Sequence, residues 1–203
     1  AKAVRGKLLQ ESAIRALVQN IASCDEVWVV SRGAGENLRS LGYEGDYIVM
    51  ENGVDVPRGR VSDEAIAAAT GRYDLPQNVP VFLFVGRLMW YKGIRIILDA
   101  LKTLREKNVD FRMVFVGEGA DGAEIRSYAE ERKLSDRCFF TGAISDREII
   151  RAWYGRSDLF LFPSTFDTNG LVVREAAASG TATVMIRNSC ASEGVGDGRN
   201  GFC

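Results

Sequence analysis

The 203-residue chain contains no histidine. That excludes Ser-His and Cys-His nucleophilic mechanisms. Its four cysteines, Cys24, Cys138, Cys190 and Cys203, are scattered and form no CxxC pair, which argues against a zinc site and for isolated reduced thiols in a cytosolic protein. Charge of either sign is not in excess: 26 Lys and Arg against 27 Asp and Glu leave a formal net charge of −1. Nothing in that balance points to nucleic acid or an anionic membrane as a bulk electrostatic partner. No apolar run approaches the roughly 20 residues that cross a bilayer, and AKAVRGKLLQE at the start holds no hydrophobic h-region.

What the chain does have is a core-sized apolar share, 46% hydrophobic residues with 26% charged. From residue 80 onward the pattern is regular. VPVFLFVG (79–86), FRMVFVG (111–117), RCFFTG (137–142), DLFLFP (158–163) and TATVMIR (181–187) read as strands. Between them lie helical stretches at 94–107, 122–133, 145–156 and 170–180. Strands alternating with helices of this length predict right-handed βαβ units, hence an α/β fold with a Rossmann-like open parallel sheet covered on both faces.

The first part differs. A helix over 8–24 leads to DEVWVVS (25–31), which reads as one more strand, and then to YIVMENGVDVPRG, whose Asn52-Gly53, Pro57 and Gly59 read as a turn-rich connector. The expected organisation is the tail of a preceding domain at 1–50, a linker at 51–60 and a main domain at 61–203 whose last strand is incomplete. DEVWVVS, left without its own sheet, is expected to pair with another chain or with the main sheet.

Ligands of open parallel sheets bind outside the carboxyl ends of the strands, so the residues after each strand carry the argument. GRLMWYKG (86–93) places Arg87 and Lys92 between a strand and a helix N-terminus, two cations beside free backbone amides, a combination suited to a diphosphate. FDTNGLVVREAAASG (166–180) sets Asp167 and Glu175 eight positions apart around a glycine that opens a helix. Asp167 can accept hydrogen bonds from a polyol, and Glu175 can grip a ribose diol. Each motif alone has a plainer reading, solvated cations at a loop or an acid favouring a helix dipole. VGEGADG matches GxGxxG at Gly117, Gly119 and Gly122, but the next strand ends CFFTGA without the carboxylate a dinucleotide fingerprint requires.

Taken in order, NGVD (52–55), GRLMWYKG, VGEG, FFTGAIS, DLFLFPS and the Asp167–Glu175 block resemble the C-terminal half of retaining glycosyltransferases of family 4, which have the GT-B fold. The resemblance runs from about residue 26 to the end. It implies that Arg87 and Lys92 hold the diphosphate of a nucleotide-sugar donor, UDP- or GDP-linked, and that Asp167 faces the donor sugar. Glu175 would bind the nucleotide ribose. Thr168, Asn169, Gly170 and Leu171 fall in the loop that contacts sugar and phosphate, and Ala143 and Ile144 in the loop that recognises the base. The chain departs from the pattern in carrying aspartate where glutamate is usual at 167 and Asn169 where an aromatic is common. Most of the acceptor-binding domain is missing.

The resemblance further implies transfer to a glycan or lipid-linked acceptor with retention of configuration, no cofactor or metal, and a cytoplasmic location with peripheral membrane contact through the missing domain. Three other readings compete. The chain could be an isolated nucleotide-binding module. A sugar-nucleotide epimerase on the same fold would need a second acid/base pair, which is not evident. A flavodoxin-like or receiver domain expects an acidic cluster where this chain has Gly86-Arg87.

Overall fold

Residues 2–55 and 61–203 are described by a computed structural model, and the chain divides into two compact units, Ala1–Gly53 and Val54–Cys203. The first holds α1 (Lys2–Ala22), β1 (Trp28–Val29), α2 (Arg32–Ser40) and β2 (Ile48–Val49). Ser31, fully buried, caps α2 by accepting a hydrogen bond from the Ala34 amide at 3.0 Å. The apolar stretch 25–31 does not wait for a partner outside this unit, contrary to expectation. Trp28 and Val29 run parallel to Ile48 and Val49, with the Ile48 amide donating to Val27 O and the Met50 amide to Val29 O, each at 2.8 Å. The partner was hidden in a stretch that its turn residues mark as connector. Residues 56–60, the second half of that stretch, lie outside the described residues.

In the second unit, α3 (Asp63–Thr70) precedes β3 (Val81–Val85), α4 (Ile94–Glu106), β4 (Arg112–Val116), α5 (Gly122–Glu131), β5 (Cys138–Gly142), α6 (Arg147–Arg156), β6 (Leu159–Phe162), α7 (Leu171–Ala178) and β7 (Ala182–Met185). The strands form one parallel sheet in the order β5-β4-β3-β6-β7. From β3 the chain steps outward to β4 and β5, then returns to the other side of β3 for β6 and β7. Right-handed crossovers in opposite directions place helices on opposite faces, as the sequence predicts.

Local chemistry agrees with that architecture. Asp146 caps α6 by accepting from the amides of Glu148 and Ile149 at 2.8 and 3.3 Å. Ile94, Ile97, Leu98 and Leu101 form the buried stripe of α4, a spacing of three and four residues. Leu83, Phe84, Phe111, Phe115 and Phe160 are fully buried, and Phe115 stacks on Phe140 with centroids 4.8 Å apart. Beyond β7, Phe202 forms a parallel bridge to Val184, its amide donating to Thr183 O at 2.8 Å, where the sequence suggested another strand beginning. No helix among the described residues is long and apolar enough to cross a membrane.

Candidate active site

The strand order reverses direction between β3 and β6, and in doubly wound sheets the crevice at that reversal is where ligands bind. Two loops leave these strands side by side, 86–93 after β3 and 163–170 after β6.

The first loop is held by backbone contacts that only glycine permits. Its Leu88 is buried; the Leu88 amide donates to Glu118 O at 3.0 Å, and the Trp90 amide to Asp121 Oδ2 at 2.8 Å. A Cβ on Gly117 would stand 2.0 Å from Gly86 O, and one on Gly119 2.3 Å from Leu88 O. Gly117 and Gly119 of the GxGxxG motif therefore let one loop lie against the next, a packing role independent of any pyrophosphate, whereas Gly122 has room for a side chain. The first loop then turns through a 3₁₀ segment, Trp90–Lys92, and ends at Gly93 in the left-handed region, φ 78°. A Cβ there would meet Pro163 O at 2.3 Å, so at Gly93 the two loops lie in close contact.

That approach delivers the charged groups. Lys92 Nζ donates to Asp167 Oδ2 at 2.8 Å, with side chains 11% and 20% exposed. Arg87, exposed and without an ion pair among the described residues, has its guanidinium carbon 5.9 Å from the Tyr91 ring centre, and Lys92 Nζ lies 5.5 Å from the same ring. Tyr91 in turn meets the exposed Phe166 edge-on at 5.8 Å. Past Asp167, Thr168 is exposed while the Asn169 side chain is buried. Gly170 adopts φ 64°, ψ 55° and opens α7; its place against Ala191, whose Cβ would be 2.7 Å from an added one, leaves no room for a side chain. The Leu171 and Val172 amides that begin α7 precede the first internal bond, from the Val173 amide to Gly170 O at 2.8 Å, and lie at the positive end of the helix dipole. Leu171 remains partly exposed at that terminus.

Glu175 sits further along α7 beside Tyr154 of α6. The Tyr154 hydroxyl lies 3.2 Å from both Glu175 Oε2 and Val172 O. Burial first, and then the Glu175 charge, pushes the Tyr154 phenol well above the ordinary tyrosine range, so it remains a hydrogen-bond donor. Ala143 and Ile144 follow β5 on the same rim, with β4 lying between their strand and β3. Ala143 is exposed, and Ile144 packs partly against the core. The structure thus joins Lys92 to Asp167 directly. It puts Arg87 on the loop of the first and Thr168 to Leu171 on the loop of the second, and sets Glu175 and the Ala143-Ile144 pair outside that contact.

Sequence reasoning gave no role to Ser164, Tyr154 or Tyr91. Ser164 lies within DLFLFPS, directly after the strand's apolar run, which is the one signal that could have raised it. Tyr154 is indistinguishable from core in an amphipathic helix. Among the described residues no group of three or more Cys, Asp or Glu side chains is placed to hold a metal ion. Two cations and a helix N-terminus at the same edge of the sheet are groups that can take up an anion, and carboxylates can accept from hydroxyls.

The family model described as glycosyl transferases group 1 matches residues 67–203. This chain belongs to the glycosyl transferases group 1 family. A 2-deoxystreptamine glucosyltransferase of Streptomyces kanamyceticus is 33% identical over 134 residues, 66% of this chain and 34% of that protein. A D-inositol 3-phosphate glycosyltransferase of Streptomyces scabiei is 30% identical over 178 residues, 83% of this chain and 40% of that protein. The chain therefore spans about two fifths or less of the relatives it matches. The crystal structure of Anabaena Alr3699/HepE in complex with UDP and glucose superposes with a TM-score of 0.79 at 25% identity, over 95% of this chain and 52% of that one. The second unit of this group 1 member has the architecture of the C-terminal domain of GT-B glycosyltransferases.

Proposed function

We propose that this chain forms the donor-binding part of a retaining glycosyltransferase that takes a sugar from a UDP- or GDP-sugar and transfers it to a glycan or lipid-linked acceptor. The observation that carries the reading is the contact of Lys92 with Asp167 at the sheet's switch point, with Arg87 beside it. Family membership supports it, as does the UDP held by a structural neighbour.

On this reading Arg87, Lys92 and the amides at Gly170 take the charge that develops on the departing nucleoside diphosphate. Preorganised donors of this kind are worth ~3 kcal/mol each in the transition state. Asp167 orients the sugar through its hydroxyls rather than attacking it. Thr168 to Leu171 line the sugar and phosphate, Glu175 holds the ribose, and Ala143 with Ile144 borders the base. The two cations take the role a metal ion would otherwise fill. The first unit, with residues 1–50, is the end of the acceptor-binding domain; 51–60 is the linker, and 61–203 the donor domain. The whole enzyme is placed in the cytoplasm, with peripheral contact at the inner face of the membrane through its acceptor-binding domain.

Isothermal titration of the 203-residue chain with UDP and with GDP tests the reading. One of the two should bind, and Lys92→Ala should weaken that binding about 100-fold. A chain that binds neither nucleotide overturns it. A second reading is that these 203 residues bind donor without turning it over. Release of free sugar from a nucleotide-sugar by the chain alone would refute that one.

A further inference from the structure

Asp167 sits on an exposed turn: Thr165, Phe166 and Thr168 around it all face solvent. Such a carboxylate would ordinarily sample several rotamers. Here its Oδ2 takes two hydrogen bonds, one from Lys92 Nζ at 2.8 Å and one from Ser164 Oγ at 2.6 Å. The two donors are unlike. Lys92 reaches Asp167 on a long flexible stem, and an ammonium has further N–H groups to offer an arriving phosphate. Ser164 is fully exposed to nothing: its relative accessibility is 0%, and it follows Pro163, whose carbonyl is wedged against Gly93. Its hydroxyl cannot follow a ligand.

We propose that Ser164 is a positioning residue for the donor sugar: its hydroxyl holds Asp167 Oδ2 when Lys92 turns toward the diphosphate, so that Oδ1 is presented to a sugar hydroxyl. The proposal rests on the donor-site reading above and adds the element that keeps the sugar-facing acid in place. The chemistry follows from the distances. A short O–H···O⁻ bond is charge-assisted and directional. Both bonds fall on Oδ2, and the lone pairs of Oδ1 are spent on neither. Aspartate is one methylene shorter than glutamate, so its carboxylate must be fixed close to the backbone that carries it, and a serine three residues away on the same turn does that.

The test separates nucleotide from sugar. Affinities of the chain are measured for UDP and GDP, and for UDP-glucose, UDP-galactose, UDP-N-acetylglucosamine and GDP-mannose. The quantity read is the tightest sugar nucleotide's affinity relative to its own nucleoside diphosphate. Ser164→Ala should leave the diphosphate affinity unchanged and lower the sugar-dependent gain about tenfold, the usual consequence of removing a hydrogen bond to a charged group. Ser164→Cys, which keeps the volume but donates weakly, should behave like Ser164→Ala; thermal unfolding shows that both variants fold. If Ser164→Cys restores the wild-type ratio, the serine acts by filling space and the proposal fails. It fails equally if Ser164→Ala keeps the wild-type ratio, or if the wild-type chain binds sugar nucleotide no better than diphosphate. A wild-type chain that binds no nucleoside diphosphate brings down the donor-site reading itself, and the proposal with it.

Discussion

Lys92 and Asp167, seventy-five positions apart in sequence, share a 2.8 Å hydrogen-bonded ion pair at the mouth of the sheet. The pair is half of a charge arrangement whose other cation, Arg87, has no carboxylate partner among the described residues. A site built this way binds a dianion by adding a partner to Lys92, not by creating positive charge from nothing. Lys92→Ala should therefore weaken UDP or GDP binding about 100-fold, the scale of one preorganised charge-assisted contact. Asp167→Asn should leave nucleotide binding nearly intact and remove the preference for the sugar nucleotide. Titration calorimetry of both variants reads this directly. Equal losses on nucleotide and sugar nucleotide in both would show that the pair acts as a single structural clasp.

The closeness of the two loops depends on Gly93. Its φ of 78° costs a side-chain-bearing residue about 1–2 kcal/mol, and an added Cβ would lie 2.3 Å from a backbone carbonyl that cannot swing away. Gly180 offers the matched control, since it has φ 79° with nothing within 4 Å of an added Cβ. Gly180→Ala should lower Tm by roughly 2–4 °C, the cost of conformation alone. Gly93→Ala should lower it by at least twice that and reduce nucleotide affinity as well, because Lys92 is the adjacent residue. Equal Tm changes in the two variants would remove the close approach at Pro163 as the reason for glycine.

How much of this was readable beforehand divides along physical lines. The strands of the main sheet announce themselves because burial on both faces demands runs such as VFLFV and MVFV, and the helices between them because one stripe must be apolar. Arg87, Lys92, Asp167 and Glu175 stand out because charge at strand ends of a parallel sheet is informative. The β1–β2 pair was not legible, since two residues are too few for any period and Asn52-Gly53 outweighed Ile48-Val49. Ser164 and Tyr154 were not legible either: their roles come from which atom lies beside which carboxylate, and spacing carries no such information. The GEGADG glycines were visible as a motif, yet the steric reason for Gly117 and Gly119, the carbonyls of Gly86 and Leu88, belongs to a different loop.

Glu175 is expected to read ribose hydroxyls, with the Tyr154 phenol steadying its carboxylate from behind at 3.2 Å. Glu175→Ala should weaken UDP or GDP binding about tenfold or more while leaving a 2′,3′-dideoxy analogue unaffected, because a charge-assisted bond is lost only where there is a hydroxyl to make it. Tyr154→Phe should give a smaller loss of the same selectivity. If natural and dideoxy nucleotides lose affinity in equal measure, Glu175 supports α7 and does not touch the ribose.

Two groups that the fold keeps neutral, Cys138 and Tyr154, are expected to cost stability at alkaline pH. Burial first, and then the Asp136 charge, pushes the Cys138 thiol up from 9.0 to about 12, against the opposing pull of Arg105. Burial and Glu175 raise the Tyr154 phenol as well. In both cases the folded pKa lies above the unfolded one, so the folded state holds its proton after the unfolded chain has released it. That contribution is complete below the unfolded pKa and is lost as pH rises toward the folded one. For Cys138 the window opens near pH 9 and closes near pH 12. With each pH unit worth about 1.4 kcal/mol, the wild-type chain should lose roughly 2–3 kcal/mol more than Cys138→Ala between pH 9 and pH 11. Urea unfolding under reducing conditions at pH 8, 9, 10 and 11 measures the difference. Tyr154 remains in both proteins, so its share cancels, and stability curves that run parallel over this range would mean the thiol ionises in the folded state as readily as in the unfolded one.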